Sequence, residues 1–119
     1  MYKVLVIFIG GGLGSSFRYI TSLIAARYSE NFPLGTLVSN TIACLILASA
    51  VFLAKGWIQQ RELVYLFLVV GLCGGYSTFS TFSLETFKLF QNGFHLYGSL
   101  NVLLNLVLCL GVIWFVSRS

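Results

Sequence analysis

The sequence predicts an all-α integral membrane protein with four transmembrane helices, and three observations predict it. Residues 34–54, 63–84 and 96–117 contain no charged side chain, and residues 4–26 contain only Arg18. Hydrophobic residues make up 58% of the 119-residue chain and charged ones only 8%, where a soluble domain carries about 25%. At about 1.5 Å of rise per residue, each run can cross a hydrocarbon core of about 30 Å. The expected spans are 3–27, 34–54, 62–90 and 96–117. The connections between them are too short for a soluble domain, so residues 1–119 read as one four-helix membrane domain.

The first span opens with Lys3 and the run Val4 to Ile9, a pattern shared with secretory leaders. The apolar pattern resumes after Arg18 as far as Ala26, and three further spans follow, which favours a helix that stays in the bilayer. Gly10 and Gly14 form a GxxxG, the mark of close helix packing. Arg18 is the first anomaly. An arginine at a span centre costs about 2.5–3.5 kcal/mol on insertion scales, so it either serves a function or snorkels to the nearer interface.

The second span starts just after Pro33, the one proline, which suits a helix start. It carries Ser39 and Asn40 side by side. A serine is absorbed by bonding back to the helix carbonyls. The asparagine amide has two donors and an acceptor to satisfy, either as interhelical glue or as a donor facing a polar path.

The third span contains GGYSTFSTF, residues 74–82. Paired glycines are a poor place to continue a helix, and a break at membrane depth is tolerated only where protein or a wet cavity satisfies the freed backbone groups. The helix is therefore expected to break near Gly74–Ser77. Discontinuous membrane helices also offer carbonyls and N–H groups to bound ions. Beyond the break, helical spacing places Thr78, Phe82 and Glu85 on one face, with Phe79, Ser83 and Thr86 beside them. Glu85 reads either as an interfacial carboxylate or as a functional one, with Lys88 three residues on as a candidate partner.

The fourth span repeats polar or small residues every four positions: Tyr97, Asn101, Asn105 and Cys109. Two asparagines in line with a tyrosine resemble the wall of a polar track. Cys44, Cys73 and Cys109 have neither metal-ligand spacing nor a disulfide framework, and small apolar packing is their ordinary role.

Four spans put both termini on one side with Lys3, Lys55, Arg61 and Arg118, against Arg27 and Lys88 on the other. That is a small positive-inside bias, which a chain inserting in both orientations would also show. The net charge of +4 is too scattered for a nucleic-acid footprint. The single histidine, without a Ser/His/acid set, a metal-ligand cluster or a phosphate loop, argues against an enzyme. Four packed helices do not enclose a lumen, so a conducting path would lie between subunits, most simply in a dimer. The donors are hydroxyls, carboxamides and an arginine. Phenylalanine adds a positive ring edge that suits a desolvated anion, or a negative face that suits a cation. Arg18 and the surplus of donors favour an anion.

Three motifs then carry a resemblance. Gly11-x-x-Gly14-x-x-x-Arg18-Tyr19, Gly35-Thr36-Leu37-x-x-Asn40 and Gly71-x-x-Gly74-Gly75-x-Ser77-Thr78-Phe79-Ser80-Thr81-Phe82 resemble, in order and in span, the signatures of the Fluc/CrcB fluoride channels. The resemblance covers essentially the whole chain. It implies an antiparallel, dual-topology homodimer in the bacterial inner membrane. Two pores along the interface would release cytoplasmic fluoride passively. It assigns Phe79 and Phe82 to the ring pair lining the pores, Asn40 to the pore asparagine, and Ser77, Thr78, Ser80 and Thr81 to the hydroxyl-rich segment. Asn105 would belong to the polar track, with Arg18 and Glu85 at the pore mouth or in support of it. A structural sodium ion at the dimer centre would be held by the carbonyls of Gly74 and Ser77 from both subunits. Ala43, Leu108 and Cys109 depart from the residues common in that family, and Tyr76 is bulkier than expected there. The rival classes are a small multidrug-type transporter, which needs an acid in the first helix where this chain has Arg18, and a non-transporting packing subunit, which leaves Phe79 and Phe82 among hydroxyls unexplained.

Overall fold

The structure, a computed structural model, describes residues 1–119 and contains helices and no strands. Helix α1 (Tyr2–Ala25) and helix α2 (Leu34–Leu53) are joined by a short loop that ends at Pro33. Helix α3 (residues 62–76) and helix α4 (Phe79–Gln91) together make the third span, Glu62–Gln91. Helix α5 (His95–Ser117) completes the set. All four spans are long and apolar enough to cross a membrane, and the protein is a multi-pass membrane protein.

Each turn between helices has a local cause. The last turn of α2 widens, with Ala54 N–H bonding Ser49 O at 3.2 Å, five residues back. The chain then reverses through Lys55 and Gly56 at φ 51° and 84°. Gly93, at φ 86°, makes the equivalent reversal between α4 and α5, a conformation open to glycine. The one ion pair, Lys3 Nζ to Glu62 Oε1 at 2.7 Å, ties the start of α1 to the start of α3. Both side chains are exposed, so the pair contributes little stability.

Glycines set how closely α1 and α3 approach. A Cβ built on Gly14 would lie 2.3 Å from Leu72 O, and one on Gly75 would lie 2.4 Å from Gly11 O. Gly10 and Gly71 meet in the same way one turn earlier. Backbone therefore packs against backbone along this seam, as small residues allow between membrane helices. The GxxxG is thus used within the chain, between α1 and α3.

The break in the third span falls at the C-terminal edge of the expected stretch. Gly74, Gly75 and Tyr76 are helical, and only Ser77 (φ −83°, ψ 157°) and Thr78 (φ −154°, ψ 121°) are extended. The expectation that the paired glycines themselves open the helix is corrected here. The lack of a side chain at Gly75 serves the contact with Gly11 on α1, whereas a Cβ on Gly74 would meet nothing. Only 18 of the 119 residues are buried, while Phe8, Leu13, Phe87, Leu106, Leu110 and Phe115 point outward. This is an apolar exterior suited to lipid or to another membrane subunit.

The seam makes a direct prediction. Gly14→Ala should destabilise the fold by about 1–3 kcal/mol through overpacking, read as a lower thermal midpoint in detergent. Gly12→Ala, whose Cβ meets nothing within 4 Å, should be neutral or slightly stabilising. Indistinguishable midpoints would mean that the seam is not under steric control.

Candidate functional site

Asn40 takes over the backbone groups that the break frees at Thr78. In a continuous helix the Thr78 N–H would bond to Gly74 O. Here it donates to Asn40 Oδ1 at 2.8 Å, while Asn40 Nδ2 donates to Thr78 O at 3.3 Å. Asn40 thus pairs with the main chain of Thr78 through both ends of its amide. One step further on, Thr81 N–H would reach Ser77 O in a continuous helix but instead donates to Thr78 Oγ1 at 3.1 Å, so Thr78 caps α4. These substitutions leave Gly74 O without its helical partner and Ser77 O without any backbone partner. Ser77 itself is tied back, its N–H and its Oγ both donating to Cys73 O at 3.0 and 2.9 Å. Two carbonyls are thereby released from the helix ladder, oxygen donors of the kind a hard cation takes. Gly74 is exposed, and a Cβ there would meet nothing within 4 Å.

From Asn40 a polar chain runs through the bundle. Asn40 Nδ2 donates to Asn105 Oδ1 (3.2 Å), and Asn105 Nδ2 donates to Asn101 Oδ1 (2.9 Å) and to Asn101 O (2.8 Å). Asn101 Nδ2 donates to Thr86 Oγ1 (2.8 Å), which donates to Phe82 O (2.8 Å). The chain begins at the break and returns to α4. Asn101 is 0% exposed, and its amide is satisfied only by this relay. In a low-dielectric interior such a network is strong when complete and costly when cut.

Arg18 and Tyr76 hold the other side of the break. Arg18 Nε donates to Gly75 O at 3.0 Å, so the arginine reaches across to α3 and caps a carbonyl in the last turn before the extended residues. The hydroxyls of Tyr76 and Thr21 share a hydrogen bond of 2.9 Å, and the Tyr76 ring lies 6.4 Å from Phe17, centroid to centroid. This places the unexpectedly bulky Tyr76 as a buried link between α1 and the break.

These contacts shape a groove of about 340 Å³ lined by Asn40, Ser77, Thr78, Phe79, Phe82 and Asn105, with Cys44, Cys109 and the apolar Leu106, Leu110 and Ile113 continuing it. Six of the residues singled out from sequence therefore meet on one surface. The Phe79 and Phe82 rings lie 5.6 Å apart and tilted by 43°, and Phe79 is 79% exposed. Of the remaining hydroxyls, Ser80 Oγ shares a hydrogen bond of 3.2 Å with Thr78 Oγ1, while Ser80 and Thr81 lie outside the groove lining.

Glu85 stands elsewhere, where the α1–α2 and α4–α5 ends of the bundle meet. It lines two adjoining cavities of about 310 and 190 Å³, with Glu30 and Pro33 common to both, Lys88 in the larger and Thr36 in the smaller. Its Oε1 is buried without a hydrogen-bond partner. Lys88 shares the cavity but makes no ion pair with it, contrary to the pairing that the sequence spacing suggested.

Sequence reasoning overlooked the closing members of the relay. Asn101 was visible in the four-residue stripe, and Thr86 lay on the face of Phe79, but nothing in the pattern showed that the two bond to each other. Tyr76 stands out in the sequence only by its bulk and Thr21 not at all, because a hydroxyl pair between distant helices has no spacing.

A sequence profile of the family described as CrcB-like protein, Camphor Resistance (CrcB), matches residues 5–116. The chain belongs to the CrcB-like family. It is 40% identical over 119 residues to a protein of Flavobacterium psychrophilum, covering 96% of this chain and 93% of that one. It is 42% identical over 110 residues to one of Pyrococcus abyssi, covering 92% and 89%, and 39% identical over 107 residues to one of Methylobacterium radiotolerans, covering 88% and 75%. Each of these CrcB-like relatives is named a fluoride-specific ion channel FluC. The match runs from Leu5 to Val116, so the break, the relay and the groove all lie inside it.

Asn40→Ala leaves the Thr78 N–H and the Asn105 Oδ1 without partners, a loss of about 1–3 kcal/mol, and should speed hydrogen exchange at the Thr78 amide. An unchanged exchange rate in a folded Asn40→Ala protein would mean that Asn40 does not hold the break.

Proposed function

We propose that the protein is a passive, fluoride-selective ion channel. The observation that carries this reading is the groove itself: two phenylalanine rings set beside a main-chain break, hydroxyls and carboxamides, on a surface that is otherwise apolar. A small anion crossing a bilayer must shed water, and the loss has to be offset along the path. Ring edges carry partial positive charge and can stand in for water without adding a fixed cation that would trap the ion. The names of the CrcB-like relatives point to the same solute.

The donor inventory refines the roles. Both amide hydrogens of Asn40 and of Asn105 are engaged within the protein, so in this reading the asparagines position the groove wall. Phe79, Phe82 and the hydroxyl of Thr78 are the groups turned to the ion, with Ser80 bonded to that hydroxyl from outside the groove lining. Ser77 and Thr81 contribute to the same segment by shaping and capping it. Arg18 supports the break from α1, and Glu85 stands at the pore mouth beside Thr36.

One chain supplies one wall of the groove. A second copy, related by a two-fold axis in the membrane plane and inserted in the opposite orientation, would supply the other and close two equivalent pores along the dimer interface. The exposure of Phe79 and Gly74 supports such a partner. At the centre, the free carbonyls of Gly74 and Ser77 from both copies would hold a sodium ion, whose charge would offset the cost of bringing anions into a low-dielectric path. Conduction down the gradient then lets cytoplasmic fluoride leave across the cell membrane.

Purified protein in liposomes should release fluoride, read with an ion-selective electrode, far faster than chloride. Replacing Phe79 or Phe82 by isoleucine should cut that flux by about tenfold or more, ~1.4 kcal/mol in barrier height, with the size-exclusion profile unchanged. Fluoride release no faster than from protein-free vesicles would refute the channel.

A further inference from the structure

A second groove, which the proposed conduction path does not use, runs between Leu45 on α2 and the α5 residues from Val107 to Val116. Its volume is about 370 Å³, and no polar side chain lines it. Gly111 opens it, since a Cβ there would meet nothing within 4 Å. Val107, Gly111 and Phe115 share one face of α5, and both flanking side chains are exposed. Arg118 continues that face, three residues on from Phe115 and seven from Gly111. Its guanidinium lies 4.8 Å over the Trp114 ring and makes no ion pair. At the same end of the bundle Arg61 stacks over Trp57 at 4.2 Å, and Lys55 follows the last turn of α2. The acidic side chain at that end, Glu62, is taken by Lys3.

We propose that this groove is a binding site for an anionic phospholipid, with an acyl chain along α5 and the headgroup at Arg118. Length and charge choose the occupant. From Val107 to Val116 the helix rises about 14 Å, close to half of a hydrocarbon core of about 30 Å, the depth of one leaflet. Val107 lies near the middle of His95–Ser117, so the groove runs from mid-membrane to the interface and stops where an acyl tail stops. A packed helix from another subunit would run the full depth of the membrane. Tryptophan rings mark the headgroup level, and free cations there attract anionic lipid. Arg118 is held over Trp114 with its charge unmatched, so a headgroup phosphate supplies the partner that the protein does not. The site is separate from the surface of Asn40, Thr78 and Phe79 and does not rest on the channel reading.

Trp114 reports on the site from its rim, and Trp57→Phe leaves it as the one tryptophan. That chain is placed in vesicles of phosphatidylglycerol and phosphatidylcholine in equal amounts, with one lipid or the other brominated on its acyl chains. Brominated phosphatidylglycerol should quench Trp114 more strongly, with a relative affinity of about fivefold, the preference expected of one basic side chain at an anionic headgroup. Adding Arg118→Gln should bring the two lipids to parity. Adding Gly111→Leu should do the same by filling the groove with every charge left in place. The open space at Gly111 admits that side chain, and an unchanged size-exclusion profile checks the fold. Equal quenching by both lipids in the parent chain would overturn the proposal. A preference that survives Gly111→Leu would also overturn it, by assigning the effect to surface charge alone. So would a Trp114 shielded from both lipids, the result expected if another subunit covers the groove. Quenching needs no ion flux, so a failure of the channel reading leaves this result standing.

Discussion

The hydrogen bond from the Thr78 amide to Asn40 Oδ1 is the contact on which the rest of the structure depends. It replaces a rung of the helix ladder by a side chain from another span. An unsatisfied amide at membrane depth costs several kcal/mol, so a transmembrane helix opens only where another group takes over its rungs. Asparagine suits this place because its amide offers an acceptor and a donor side by side, matching the N–H and C=O of one extended residue. Once Thr78 is held, its hydroxyl caps α4, Ser77 and Gly74 keep free carbonyls, and Phe79 turns outward at the head of a new helix.

That contact is steadied from both sides. Asn105, Asn101 and Thr86 pass its polarity through the bundle and back to α4, leaving each carboxamide satisfied. On the opposite side, Gly11, Gly14 and Gly75 let α1 lie directly on the last helical turn before the break, and Arg18 and Tyr76 fasten it there. The arginine therefore acts as a donor to the main chain of α3. A long side chain within a span is tolerated when its head finds a carbonyl freed from the ladder nearby.

This division of labour explains why so polar a segment can sit in so apolar a chain. Few donors face the groove, because most of them are engaged in holding its shape. Besides the engaged carboxamides, the groove is lined by the Phe79 and Phe82 rings and by Ser77 and Thr78. A site built of free amides and a free guanidinium would hold an anion more tightly and release it more slowly.

Fold class was legible in the sequence because lipid imposes a one-dimensional rule: about twenty uncharged residues cross, and loops carry the charges. The four runs, the GxxxG, the interrupted third span and the candidate residues from Asn40 to Phe82 could all be read from composition and spacing. Tertiary structure alone decided what each does. It moved the break from the glycines to Ser77 and Thr78, where Asn40 takes over the freed backbone groups of Thr78. It joined Asn40 to Thr78 and Asn101 to Thr86 across helices, and it separated Glu85 from the groove. Periodicity reports which residues share a face of one helix, whereas these contacts depend on how closely two helices approach, and that distance is set by the glycine seam and the packing around it.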